Sequence, residues 1–131
     1  MRPGLHKDRK MRKVTVTQGL IWSVVATRVG KATYYDIQGS GRPTFCGRYV
    51  HNHEFAVAVS PGVMNKPGGV GCYQWIGITN PANGKRACAR VMDTCHRCGT
   101  NDLDLTPGLF SSLGSIEQGV IWGVQWHDRC S

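Results

Sequence analysis

The segment from residue 90 to residue 110 constrains the fold of this 131-residue chain more than any other stretch. An apolar run there ends at an acidic residue, and Cys95 and Cys98 follow at C-x-x-C spacing. The acidic cluster Asp102-Leu-Asp104 then precedes Thr106-Pro107, which favours a helix start because proline fits the first helical position. Few folds need these parts in this order, so the segment is the main guide to the architecture.

Short apolar segments separated by turn residues indicate an all-β domain. The chain carries 17 glycines and 6 prolines, and Asn83-Gly84 predicts a tight hairpin turn with positive φ angles. The alternation of Val120, Trp122, Val124 and Trp126 predicts that they share one side of the last strand. A small barrel is expected from these strands, which are residues 32–35, 55–59, 75–79, 86–92 and 119–126.

Two short helices are expected among the strands. Ser60-Pro61 favours a helix of one or two turns, because serine caps helices and proline begins them. Thr106-Pro107 favours a longer helix, in which Leu109, Phe110 and Leu113 fall at helical spacing on one face.

The cysteine content predicts an oxidising compartment. Six cysteines in so short a chain are typical of a secreted protein with as many as three disulfides. Six cysteines allow fifteen pairings, so spacing alone leaves the connectivity open. The length is that of one domain, which can bury most of its apolar surface.

The net charge of +8 is concentrated in one part of the chain. Residues 1–31 hold eight basic residues and one acidic residue, whereas residues 32–131 hold eight and seven, a net charge of +1. A nucleic-acid-binding patch would therefore have to be the N-terminal segment itself. We expect no nucleic-acid partner.

We treat residues 1–29 as a basic leader. Basic residues from Arg2 to Lys13 precede the mostly apolar run 14–26, which resembles a secretory signal. A disordered leader and an ordinary first strand are the alternatives. The apolar run is too short for a transmembrane helix, which needs about 20 residues, and we expect no membrane partner.

A series of short motifs occurs in a fixed order along the chain: residues 30–36 (GKATYYD), 45–47 (FCG), 56–60 (AVAVS), 83–85 (NGK), 91–98 (VMDTCHRC), 102–105 (DLDL), 119–121 (GVI) and 124–126 (VQW). On these motifs, residues 30–126 resemble the double-psi β-barrel family, and in particular fungal expansin-like proteins of the loosenin type. More distant resemblances are to barwin, the rare lipoprotein A barrel, the first domains of expansins and family 45 endoglucanases. The resemblance implies an all-β, six-stranded double-psi β-barrel over residues 30–131, with one or two short helices.

The resemblance also sorts the cysteines. Cys88 and Cys130 are extra relative to the family, and we hypothesise that they pair and tie the C-terminus to the strand that holds Cys88. The others lie where such proteins commonly carry cysteine: Cys46, Cys72, Cys95 and Cys98.

Two aspartates match the carboxylates of the endoglucanase relatives. Asp104 corresponds to the proton donor and Asp36 to the aspartate that ends the first strand. Inverting cleavage needs an acid and a base roughly 6.5–9.5 Å apart. Asp36 could equally belong to an Asx turn, and Asp102-Leu103 stands where expansins have His-Phe. Asp93 is a further candidate, although a hydrogen-bonded structural carboxylate is an equal interpretation for a strand end beside a cysteine.

Aromatic residues could stack on sugar rings. We predict that Tyr35, Tyr73, Asp102 and Asp104 line the binding groove and that Trp126 is in the core. A metal site is not expected at the C-x-x-C pair, because structural zinc usually needs four ligands and the second ligand pair is absent. We expect no cofactor.

The resemblance implies a secreted, monomeric protein that binds and loosens wall polysaccharide, cellulose or chitin, without net hydrolysis. Non-lytic action is favoured over catalysis because single-domain relatives are regarded as non-lytic. One alternative is a glycoside hydrolase or lytic transglycosylase that uses Asp104 as its acid. Another is a protein-binding module, such as a protease inhibitor or an effector.

Overall fold

The computed structural model describes residues 9–16 and 19–130, and its centre is a closed six-stranded barrel. A separate antiparallel pair precedes the barrel and consists of β1 (Arg9–Val16) and β2 (Gly19–Ala26). One α-helix, α1 (Pro107–Leu113), follows the fifth barrel strand. The barrel strands are β3 (Arg28–Tyr34), β4 (Ala56–Val59), β5 (Trp75–Asn80), β6 (Lys85–Thr94), β7 (Leu103–Leu105) and β8 (Ile121–His127).

The barrel order is β3-β7-β4-β6-β5-β8, and β8 pairs with β3 to close it. The β3–β7 and β4–β6 pairs are parallel, whereas the other barrel pairs are antiparallel. Parallel neighbours cannot be joined by a tight hairpin. Here β4 is connected to β6 through β5, and β3 is connected to β7 through β4, β5 and β6. The predicted all-β, six-stranded barrel is confirmed.

The basic leader only partly falls within the described residues. Residues 1–8, 17 and 18 lie outside them, so the secretory-signal interpretation remains a prediction. Strand β3 begins at Arg28, two residues before the predicted start of the barrel domain at residue 30. Within the described residues, no helix combines the length and the apolar character needed to cross a membrane.

The predicted hairpin is confirmed, with one correction to its turn. Strands β5 and β6 pair in register from Trp75 opposite Arg90 to Asn80 opposite Lys85. Gly84 has φ +77°, whereas Asn83 is not among the positive-φ residues. The turn therefore needs a left-handed backbone at the glycine alone.

One predicted helix forms and the other does not. Leu109, Phe110 and Leu113 of α1 are buried against the barrel, as their spacing predicted. After Ser60 the chain makes only turns, because Asn65 adopts φ +58° and its backbone N–H bonds to the carbonyl of Val70. This reversal ends the segment before a helix can propagate.

The predicted side-chain alternation in β8 is wrong at Trp122. Val124 and Trp126 are fully buried, which confirms the prediction for Trp126, but Trp122 is 71% exposed. The register of β8 against β3 shifts at this point, and Gly123 adopts φ +71°. Because one extra residue is accommodated there, the alternation reverses and Trp122 points to solvent.

Three disulfides join all six cysteines. Cys88 pairs with Cys130, with a Cα–Cα distance of 5.2 Å, and this confirms the hypothesis that the two extra cysteines bond to each other. Three disulfides are compatible with an extracellular protein. The remaining pairs are Cys46–Cys72 and Cys95–Cys98.

A small second core fixes the long loop between β3 and β4. Ile37 and Val50 of the loop are buried against Ala56 of β4 and Met92 of β6. This packing lies apart from the main core, and it holds the loop beside the parallel β4–β6 pair. The backbone N–H of Phe45 in this loop donates a hydrogen bond to Asp93 at the end of β6, so the loop borders the site that contains Asp93.

Candidate functional site

Four residues on four adjacent barrel strands lie opposite one another and form one row across the sheet. Thr33 of β3 is opposite Asp104 of β7, and Asp104 is opposite Ala58 of β4. Ala58 is in turn opposite Asp93 of β6. Residues that lie opposite one another on adjacent strands have neighbouring side chains. The barrel therefore brings together a threonine and two aspartates that are far apart in the sequence.

Asp104 is a buried carboxyl group at the centre of this row. Its side chain is 6% exposed and accepts a 2.9 Å hydrogen bond from the Thr33 hydroxyl. Burial raises the pKa of Asp104 above its usual value, and the negative charge of Asp93 adds to the increase. The Thr33 bond and the positive charge of Arg97 act in the opposite direction without cancelling the increase. Asp104 thus holds its proton to a higher pH than an exposed aspartate.

Asp93 is held by three hydrogen bonds. The Tyr35 hydroxyl donates to Asp93 Oδ2 at 2.8 Å, and the backbone N–H groups of Phe45 and Thr94 donate to Oδ1 at 3.0 Å each. Burial and the bond to Asp93 raise the pKa of the Tyr35 phenol above its usual value. This is the hydrogen-bonded arrangement that the sequence suggested as one interpretation of Asp93. Sequence reasoning did not place Asp93 in the same row as Asp104.

A groove opens beside Asp104, with a volume of about 250 Å³. Lys31 and Thr33 of β3 form one wall, and the turn closed by the Cys95–Cys98 disulfide forms the other. Asp102 lies at the base of the groove and accepts hydrogen bonds from the backbone N–H groups of Lys31 (3.0 Å) and Gly99 (3.1 Å). The lining residues that carry charge are Lys31, Arg97, Asp102 and Asp104.

Tyr35 is not among the residues that line this groove, so its predicted binding role stays a prediction. Asp36 and Tyr73 do not line this groove either. Asp36 accepts hydrogen bonds from the backbone N–H of Gly39, three residues on (3.0 Å), and from Asn52 Nδ2 (2.8 Å), so its carboxylate holds the local turn and the loop around Asn52. Tyr73 has φ +69°, and its hydroxyl donates to the carbonyl of Cys46 at 2.7 Å. The roles predicted for these two residues stay predictions, whereas Asp102 and Asp104 do lie in one groove.

A second surface carries three of the six exposed phenylalanine, tyrosine and tryptophan rings of residues 26–130. We define the aromatic–arginine surface as Phe55, Tyr73, Trp75 and Arg90. The Arg90 guanidinium lies 5.4 Å from the centroids of both the Tyr73 and Trp75 rings, and Arg90 Nε donates to the Tyr73 carbonyl at 3.0 Å. A depression of about 240 Å³ lies beside Phe55 and Trp75. Its rim carries the ion pair of Arg48 with Glu54.

The described residues contain no group of three or more side chains that could together hold a metal ion. Cys95 and Cys98 are bonded to each other, and His51 and His53 stack with their ring centroids 5.5 Å apart.

No protein-family model matches the chain. The allergen Asp f 7 of Aspergillus fumigatus is 35% identical over 103 residues, which cover 76% of this chain and 36% of the allergen. The chain thus spans about a third of the length of that relative.

Two solved structures share the barrel. A Streptomyces papain inhibitor superposes with a TM-score of 0.65 at 25% identity, covering 77% of this chain and 92% of the inhibitor. A mutant expansin of Clavibacter michiganensis, in complex with cellohexaose, superposes with a TM-score of 0.63 at 29% identity. That match covers 79% of this chain and 50% of the expansin. The chain therefore has an expansin-like double-psi β-barrel fold, which it shares with a protease inhibitor.

Proposed function

We propose that this chain is a secreted, expansin-like protein of the loosenin type that binds wall polysaccharide at the Asp104 groove without net hydrolysis. The observation that carries the proposal is the buried Asp104 carboxyl group, which is bonded to Thr33 and opens onto a groove of about 250 Å³. A polar groove of this kind offers both donors and acceptors to sugar hydroxyls. Cellulose and chitin are the polymers that we expect.

The groove would loosen a polymer by competing for its hydrogen bonds. Lys31 and Arg97 supply donors, and Asp104 accepts when ionised and donates when protonated. Because the pKa of Asp104 is raised, both forms are accessible at a higher pH than for an exposed aspartate. Sugar hydroxyls that bond to these groups are no longer free to bond to the neighbouring polymer chain.

The hydrogen bonds of Asp93 favour binding over cleavage. Hydrolysis with inversion needs a second carboxylate that can activate water. Asp93 lies two strands from Asp104, but three of its roughly four lone-pair positions accept bonds from Tyr35, Phe45 and Thr94. Such a carboxylate is better suited to holding the groove in place than to deprotonating a water molecule.

The expansin structure supports this reading, because that protein was solved with cellohexaose bound. Since this chain spans only half of that expansin, the support concerns the barrel domain. The three disulfides support secretion.

The test is a pull-down of the full chain on insoluble cellulose and chitin in 1 M NaCl, with soluble reducing sugar assayed in the same tubes. High salt suppresses adsorption through the basic residues. We expect binding without sugar release, and weaker binding by Asp104→Ala. The matched control is Asp128→Ala, which removes the same charge at an exposed position outside the groove.

Two results would contradict the proposal. Release of reducing sugar that is lost in Asp104→Asn would identify a glycoside hydrolase or lytic transglycosylase. Failure of the unaltered chain to bind either polymer would remove the polysaccharide function altogether.

The aromatic–arginine surface favours protein binding as a second candidate function. Tryptophan, tyrosine and arginine are the residues enriched at interface hot spots, and here Arg90 covers one face of both Tyr73 and Trp75. A similar fold in a papain inhibitor suggests papain as the probe. We expect papain inhibition, if present, to weaken in Trp75→Ala and to persist in Trp122→Ala, a matched change of an exposed tryptophan outside this surface. Absence of inhibition by the unaltered chain would exclude papain as the partner.

A further inference from the structure

Among residues 26–130, Trp122 is the most exposed large apolar residue, at 71%. Its neighbours along β8, Ile121 and Val124, are buried in the core. The outward position is set by the backbone, because Gly123 adopts φ +71° where the register against β3 shifts. A residue other than glycine would be strained at that φ. The strand is therefore shaped to present this ring to solvent.

Lys31 connects Trp122 with the Asp104 groove. The Lys31 side chain lines the groove, and its Nζ lies 5.7 Å from the centroid of the Trp122 ring. Its backbone N–H is fixed by the bond to Asp102 at the base of the groove. Since β8 is the neighbour of β3, and β3 is the neighbour of β7, the indole lies on the strand just beyond the groove wall.

We propose that Trp122 is a sugar-stacking subsite at the end of the Asp104 groove, with Lys31 as a hydrogen-bond donor to the same sugar. The inference rests on the proposed polysaccharide-binding function. Strands β7 and β8 are two spacings apart, or roughly 10 Å. A polysaccharide chain that crosses the strands from Asp104 over Lys31 would reach the indole with a neighbouring sugar ring.

The chemistry of the pair selects a class of polymer. An indole offers a flat apolar surface, which complements the apolar face of a pyranose whose hydroxyls are equatorial, as in β-linked glucans and chitin. Lys31 brings three N–H donors to the edge of that ring. Each exposed tryptophan has a cation near its ring, but Trp75 is only 47% exposed, whereas Trp122 is 71% exposed. Trp122 is thus the better platform for a sugar.

The test compares Trp122→Ala, Trp122→Phe and Trp75→Ala in the full chain. Binding to insoluble cellulose and chitin is measured in 1 M NaCl, together with the thermal unfolding midpoint of each variant. We expect Trp122→Ala to bind about fivefold more weakly or worse, which is the threshold effect for truncating an important contact residue. Trp122→Phe should retain part of the affinity, and Trp75→Ala should change it less than twofold. The midpoints should stay equal, because both indoles are exposed.

A second measurement uses a soluble probe. Cellohexaose or chitohexaose should protect tryptophan fluorescence of the unaltered chain from acrylamide quenching, and this protection should fall in Trp122→Phe. Binding by the unaltered chain that is equal in Trp122→Ala would overturn the subsite and leave the Asp104 groove in place. Failure of the unaltered chain to bind would overturn both, and loss in Asp104→Ala alone would restrict binding to the groove.

Discussion

Replacing Tyr35 with phenylalanine isolates the contact that holds Asp93. The change removes the hydroxyl that donates to Asp93 Oδ2 at 2.8 Å and keeps the ring. Hydrogen bonds to charged groups contribute about 1.5–3 kcal/mol. Because the Phe45 and Thr94 N–H groups continue to bond to the other oxygen, the carboxylate is not left unpaired. We expect the free energy of unfolding to fall by about 2 kcal/mol at pH 7.

The same variant should show a characteristic pH dependence. Burial and the bond to Asp93 raise the pKa of the Tyr35 phenol in the folded state, whereas an unfolded tyrosine ionises near pH 10. The stabilisation is therefore complete below pH 10 and is lost as pH rises above 10 towards the folded pKa. At pH 11, ionisation of the unfolded chain removes about 1.4 kcal/mol from the unaltered protein and nothing from Tyr35→Phe. The deficit of the variant should shrink by that amount.

Urea unfolding at pH 7 and pH 11, followed by tryptophan fluorescence, would measure both effects. Tyr49→Phe is the matched control, since the Tyr49 ring is 62% exposed and we expect little change in stability. A deficit of Tyr35→Phe below about 0.5 kcal/mol at pH 7 would show that the bond to Asp93 contributes less than a typical hydrogen bond. A deficit that is equal at the two pH values would refute the raised pKa.

Three further predictions concern the groove and the C-terminus. Asp104→Asn should raise the thermal unfolding midpoint at pH 7, because burial raises the pKa of Asp104 and makes its ionised form unfavourable in the folded protein. Below the pKa of the unfolded chain Asp104 is protonated in both states, so the gain in midpoint should vanish in melts below pH 4. Arg97→Gln should raise the pKa of Asp104 further by removing a charge that lowers it, as NMR titration of the carboxyl carbon would detect. Loss of the Cys88–Cys130 disulfide in a double serine variant should cost about 4 kcal/mol of unfolding free energy in urea, because it closes a loop with a sequence separation of 42.

The parts of the fold that could be predicted from sequence are those set by local chemistry. The β5–β6 hairpin follows from a glycine at its turn, and α1 follows from Thr106-Pro107 and apolar residues at helical spacing. The helix predicted after Ser60 does not form, and the reason is again local. Serine and proline favour a helix start, but a left-handed Asn65 turns the chain back after one turn. The backbone bond between Asn65 and Val70, five residues apart in the sequence, overrides the preference for a helix there.

The candidate site could be predicted only in part, because it is assembled by register. The resemblance pointed to Asp104, and spacing alone could not place Asp93 near it. Their alignment depends on β4 lying between β6 and β7, and on a register shift between Val57 and Ala58. A register shift of this kind leaves no distinct pattern in the spacing of apolar residues along the sequence. Pairing rules for adjacent strands locate the row only after the strand order is known.

The largest departure from periodicity is also the most informative about function. Strict alternation along β8 would bury Trp122 on the same side as Val124 and Trp126. A glycine at position 123 does not by itself indicate from the sequence that this alternation reverses. In the barrel, Gly123 at φ +71° adds one residue to the strand and turns the indole outward beside Lys31. Exposing an indole forgoes the burial of a large apolar side chain, which would contribute about 1.5–3 kcal/mol. A backbone arrangement that maintains this exposure next to a polar groove is best explained by a ligand that covers the ring.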